Sequence, residues 1–149
     1  MDERWFEDFA VGDEIVSPAK TITEAEIIDW AFRYDPQPFH MDKQAAAGHM
    51  YGGLIASGWQ LGAVCFRLFM MTRPWGAASL GSPGVDALRW HQPVRPDDTI
   101  HVVVTVTEAR PSRSKPDRGV VQMDWAVRNQ HGETVMTMQS VQLLRRRPA

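Results

Sequence analysis

The sequence predicts an α+β fold in which a curved antiparallel sheet of about five strands wraps around one long central helix. Three observations predict it. The stretch "TIHVVVTVTEA" places Ile100, Val102, Val104 and Val106 at period two, and "VVQMDWAVRN" does the same with Val121, Met123, Trp125 and Val127; this alternation belongs to half-buried strands. The run "LIASGWQLGAVCFRLFMM", 54 to 71, is the one long apolar segment able to cover such a sheet as a helix. Finally, "NQHG" separates the second strand from "ETVMTMQSVQLL" and supplies Gly132 for a positive-φ turn, so the last two strands form a hairpin.

The other elements follow in chain order. Further strands are expected near 14 to 20 and 84 to 92, and "RPSRSKPDRG" closes another hairpin. In "TITEAEIIDWAFRYD", Thr23 and Glu26 are spaced as a capping box ahead of Ile27, Ile28 and Ala31, which predicts a helix from 24 to 34. Pro36 and Pro38 disfavour helical geometry at Asp35 and Gln37, so the chain is expected to leave the helix and run extended through "YDPQPFH". With 149 residues, no internal repeat and no long linker, the chain reads as one domain, 1–149, with one core.

Composition narrows the function. A formal charge of −2 with acids and bases interspersed lacks the basic excess of a nucleic-acid or anionic-membrane binder. The partner expected is a small molecule or another protein chain. The 54–71 run is interrupted by Gln60 and Arg67 and is shorter than the roughly 20 residues a bilayer requires. The acidic, aromatic opening "MDERWFEDF" is unlike a secretory leader, so a cytoplasmic location is expected. Cys65 is the sole cysteine; it excludes an intrachain disulfide and reads as a small buried hydrophobe. The five histidines show no short ligand spacing, and no metal site is expected. Arg145 to Arg147 and the "RPSRSKP" loop read as solvated charge, with binding of a partner as the competing reading.

Two short stretches carry chemistry. Asp35 and His40 sit on a proline-stiffened loop, either as turn residues or as an acid–base pair. "YGGLIASG", 51 to 58, lacks both a P-loop and a dinucleotide fingerprint. Gly52 and Gly53 precede the long apolar run, where free N–H groups and a helix dipole stabilise an oxyanion, or where glycine is needed for a tight turn. Together a carboxylate, an imidazole and an oxyanion site are the parts of an addition or elimination beside a carbonyl.

On these residues the chain resembles the MaoC-like dehydratases and R-specific enoyl-CoA hydratases of the hotdog fold. Their D-x-N-P-[LIV]-H-x-D motif is matched by "DPQPFHMD" through Asp35, Pro38, His40 and Asp42, and their H-G-x-L-x-A-S stretch by "YGGLIAS" through Gly52, Leu54, Ala56 and Ser57. "WFEDFAVGDEI" and "RWHQPVRPDDTI" also look like this family. Three positions depart from its pattern: Gln37 for Asn, Phe39 for an aliphatic residue and Tyr51 for His.

The resemblance implies a hydratase or dehydratase that uses Asp35 and His40 on one water. It places the thioester oxygen at the Gly52 N–H and Ser57 behind the aspartate. Gln37, Phe39, Tyr51 and Gly53 then belong to the pocket or its support, with Trp59 as a further wall, and Asp42 is a helix N-cap. It also implies a coenzyme A thioester as substrate, no further cofactor, and a homodimer with the acyl arm entering at the interface. The alternatives are a hotdog thioesterase and a non-catalytic acyl-thioester-binding subunit.

Overall fold

The computed structural model describes residues 4–149. A 3-10 turn at Phe6–Asp8 leads to β1 (Glu14–Val16) and β2 (Lys20–Thr21), followed by helices α1 (Glu24–Tyr34), α2 (Pro38–Met41), α3 (Lys43–Ala47) and α4 (Gly58–Met71). The chain then enters β3 (Gly84–Trp90), β4 (Thr99–Pro111), β5 (Arg118–Arg128) and β6 (Thr134–Arg145). The sheet has six antiparallel strands in the order β1-β4-β5-β6-β3, with β2 also paired to β4. The expected strand at 14 to 20 is two short pieces, because Pro18 interrupts the run and cannot donate a ladder hydrogen bond.

The period-two positions face α4. Ile100, Val102, Val104, Val121, Met123 and Val127 are fully enclosed, with Val106 and Trp125 nearly so. From the helix, Leu61, Cys65, Leu68 and Phe69 close the core, with Phe69 edge-on to Trp125 at 4.5 Å between ring centroids. Burial pushes the Cys65 thiol up to about 12, which leaves it as an apolar filler. Both expected hairpins form, and Gly132 adopts φ +76° in the β5–β6 turn.

The central helix is shorter than the apolar run that announced it. Residues 54 to 57 form neither helix nor strand, and α4 starts only at Gly58, capped by the Ser57 hydroxyl. Ile55 N–H reaches the Phe39 carbonyl and Ala56 N–H the Val94 carbonyl, so this segment bonds outward rather than along a helix. Among the described residues, no helix is long and apolar enough to cross a membrane.

Candidate active site

The residues of "YDPQPFHMD" are placed by a sequence of caps. Thr23 Oγ1 accepts from Glu26 N–H at 3.2 Å and Glu26 Oε2 accepts from Thr23 N–H at 2.9 Å, which starts α1 where the capping box predicted. The helix ends at Tyr34, and Asp35 still donates its N–H to Ala31. The chain is not extended through the whole motif, as the prolines suggested. Pro38 opens α2 at its first position, where proline's fixed φ suits a helix and its missing N–H is no loss. One turn of α2 then carries His40 inward, and Asp42 caps α3 by accepting from Gln44 and Ala45 N–H at 2.9 and 3.1 Å. Asp42 is thus the N-cap the sequence predicted.

This path brings Asp35, His40 and Ser57 together. The His40 side chain is 6% exposed and that of Asp35 15%, with Nε2 of the histidine 3.4 Å from Oδ2 of the aspartate. Ser57 donates its hydroxyl to the same Oδ2 at 2.6 Å, and Gln37 donates from Nε2 to Oδ1 at 2.7 Å. His40 Nδ1 lies 2.7 Å from the Ile55 carbonyl. A carbonyl only accepts, so Nδ1 carries a proton. In the neutral ring Nε2 is then a lone pair, and it confronts a carboxylate oxygen.

Two acceptors at that separation need a proton between them or a donor that serves both, and water donates one proton to each. Burial alone would raise the pKa of Asp35. The hydrogen bonds from Ser57 and Gln37 outweigh it, together with the positive charge His40 carries when its ring is protonated, and hold the carboxyl below its ordinary 3.8. Asp35 is therefore ionised at neutral pH. Two acceptors this close can share one bridging water between them.

The pair opens into a cleft of ≈ 320 Å³. Gln37, Phe39, Tyr51 and Trp59 line it, together with Trp90, Gln92 and Val94 from the end of β3 and the loop after it. Phe39 stacks on His49 at 4.5 Å, and His49 on Tyr51 at 5.2 Å, which fixes one aromatic wall. Gly53 is set back from the cleft beside Arg95, whose guanidinium donates to the Tyr51 carbonyl. The Trp90 wall had no local signal in the sequence, because its partner Gly58 is 32 residues away. "RWHQPVRPDDTI" reads as a strand near 84 to 92 and as part of the family resemblance, and neither reading points to Gly58.

Gly52 does not stand at the start of α4. It adopts φ +68° in a turn, a backbone that favours glycine, and its N–H donates to the His49 carbonyl at 2.8 Å. Gly58 does line the cleft at the start of α4, and its N–H has no protein acceptor among the described residues. Among the described residues, no three His, Cys, Asp or Glu side chains converge as a metal site.

Comparisons with known proteins identify the family and the fold. The family model for the MaoC-like domain matches residues 8–127. A MaoC-like dehydratase from Rhodospirillum rubrum is 38% identical, with a TM-score of 0.88 over 98% of this chain and 99% of that one. Protein MaoC of Klebsiella aerogenes is 35% identical over 105 residues, which are 68% of this chain but only 30% of that protein. The R-hydratase PhaJ1 of Pseudomonas aeruginosa, 24% identical over 97% of this chain and 88% of that one with a TM-score of 0.80, shares the fold. A structural neighbour from Mycobacterium tuberculosis is described as a double hotdog fold, at a TM-score of 0.77, 14% identity and coverage of 98% of this chain and 45% of that one. By its matched domain and the sheet wrapped on α4, the chain belongs to the MaoC-like domain family, with the hotdog fold.

Proposed function

We propose that the protein adds water to a trans-2-enoyl thioester, or removes it from a 3-hydroxyacyl thioester, with coenzyme A as the thiol and no further cofactor. The observation that carries this reading is the Asp35–His40 pair, two acceptors 3.4 Å apart with their remaining positions tied down by Ser57, Gln37 and Ile55. In hydration the pair takes one proton from water, the water oxygen bonds to C3, and the electrons of the C2–C3 double bond move toward the thioester oxygen as an enolate. The proton held by the pair then passes to C2. Dehydration is the reverse. The water must be positioned and the enolate oxygen stabilised, the two services a preorganised site supplies.

The enolate oxygen is assigned to the Tyr51–Gly58 segment. Gly52 is its donor once the N–H exchanges the His49 carbonyl for substrate, and Gly58 at the α4 N-terminus supplies the second, dipole-assisted donor. Phe39, Tyr51 and Trp59 cover the acyl-pantetheine arm. The functional unit is a homodimer: the outer edge of β3 has no strand beside it among the described residues, and Val85 and Trp90 on that strand, with Trp59 packed against Trp90, expose apolar surface there. A second copy of the same edge covers both.

The test is to follow enoyl absorbance and free thiol with crotonyl-CoA and longer enoyl-CoA thioesters. Loss of absorbance without thiol release is expected. Thiol release would indicate a thioesterase, and saturable binding without turnover a non-catalytic subunit. Sedimentation should give a dimer at micromolar concentration; a fully active monomer would remove the dimer from the reading.

A further inference from the structure

The cleft is lined by both polar and apolar residues. Asp35, Gln37 and Gln92 are polar, whereas Ala56, Leu61 and Val94 are apolar and almost wholly buried. A thioester's pantetheine arm carries amides that need water or polar partners, while its acyl chain gains free energy from apolar burial. The acyl end therefore belongs with Leu61 and Val94. Gly58 lies three residues from Leu61, on the same face of α4. Trp90 is seated on that glycine.

The indole is held by two residues, Gly58 and Trp59. Its Nε1–H donates to the Gly58 carbonyl at 3.0 Å, linking the end of β3 to the first turn of α4. A Cβ built on Gly58 would lie 2.3 Å from Trp90 Cε2 and 2.6 Å from Nε1, so the ring occupies the space that only glycine leaves free. Trp59 meets it edge to face at 5.4 Å between centroids, with an interplanar angle of 80°. Rotating the indole aside to admit a longer chain would forfeit the hydrogen bond, the close packing and the aromatic contact together. This wall is rigid, unlike one made of a flexible side chain.

We infer that Trp90, locked on Gly58, sets the upper size of the acyl group, so that the cleft takes short 2-enoyl thioesters in preference to medium-chain ones. The inference rests on the reading of the cleft as an enoyl-thioester site. It assigns Trp90 to specificity, not to proton transfer, since no titratable atom of Trp90 is available to the chemistry.

The experiment measures kcat/KM for trans-2-enoyl-CoA substrates of four, six, eight and ten carbons with wild type, Trp90→Leu and Gly58→Ala, each checked by thermal melting. Wild type should favour four or six carbons. Trp90→Leu removes the wall, and Gly58→Ala retains the tryptophan but puts a methyl group where the ring lies. In both, the eight-to-four-carbon ratio should rise at least about tenfold, the scale on which apolar pockets discriminate methylenes. If Trp90→Leu fails to fold, Gly58→Ala reads the same quantity. An unchanged ratio in either folded variant, or a wild type that prefers eight carbons or more, overturns the inference while leaving the enzyme reading intact. Absence of turnover on any of these substrates overturns that reading and this inference with it.

Discussion

The sheet and the segment from Asp35 to Ser57 are secured in different ways. Along β4, β5 and β6 nearly every residue is paired in a ladder that shifts register only between Val106 and Glu108 and between Val127 and Arg128, and the side chains on the inner face share one apolar core. In the segment each functional group hangs on one or two named bonds: Ser57 and Gln37 to Asp35, Ile55 to His40, Gln44 and Ala45 to Asp42. A sheet residue is thus one vote among many for the fold, while a segment residue controls one atom's position. Substitutions in the two regions should separate stability from chemistry.

The largest effect is expected at the pair itself. Asp35→Asn keeps the shape and loses the charge, and His40→Gln loses the titrating ring, so each should lower kcat by at least about 10²-fold, with the melting temperature little changed. On the proposed shared water, the double variant should be scarcely worse than either single one. Multiplicative losses, or near-wild-type turnover in a folded single variant, would break the shared-water mechanism.

Val104→Ala probes the opposite region. Val104 is completely buried in the middle of β4, and losing its methyl groups should cost about 2 kcal/mol of stability, counting about 0.8 kcal/mol per methylene and a cavity contribution. The expected signature is a lower denaturation midpoint with kcat per folded molecule unchanged. A tenfold fall in kcat in the folded state would show that the sheet transmits its packing to the site and would erase the contrast.

Ser57→Ala lies where the two kinds of support meet, since the one hydroxyl donates to Asp35 and caps α4 through Trp59 N–H at 3.3 Å. Activity should fall about tenfold as the carboxylate loses its short bond, and stability by about 1 kcal/mol as the cap is lost. The pH dependence gives the sharper readout. The folded-state pKa of Asp35 is depressed, so its ionisation contributes stability that is present above the unfolded value and lost as pH falls through the folded one. Removing the Ser57 donor raises the folded pKa. The acidic limb of the rate profile should therefore move upward in pH, and the acid stability attributable to Asp35 should shrink. Ser57→Thr, which retains a hydroxyl, should restore the limb; an unmoved limb in Ser57→Ala would assign the serine to capping alone.

What could be read without coordinates divides along the same line. The inner-face sets from Ile100 to Val106 and Val121 to Val127 were legible because periodicity reports burial directly. Thr23–Glu26 was legible because a cap is local. The start of α4 was misjudged, since Leu54, Ile55 and Ala56 are apolar and buried yet lie outside the helix, and apolarity alone does not separate a buried non-helical segment from a buried helix. The N–H of Gly52 was expected to be free and is engaged in a turn, a local hydrogen bond that composition does not reveal. Trp90 was missed for the converse reason: its role depends on a glycine across the fold.

The smallest effect is expected at Asp42, which shares the motif with Asp35 and tests whether proximity in sequence implies a shared job. Its carboxylate accepts from Gln44 and Ala45 N–H and is otherwise exposed, two donors that any capping oxygen would satisfy. It is absent from the cleft lining, whereas Asp35 and His40 are both in it. Asp42→Ala should therefore lose about 1 kcal/mol of stability, a melting shift of about 2–4 °C for a chain of this size. Turnover below the transition should stay within about twofold, because α3 carries no group that reaches the water. Asp42→Ser, which keeps a capping oxygen without the charge, should recover most of the melting temperature. A folded Asp42→Ala variant with a 10²-fold lower kcat would make Asp42 a third member of the acid–base unit. Loss of stability alone, restored by serine, would confine the chemistry to Asp35 and His40 and leave Asp42 the task of starting the helix that follows them.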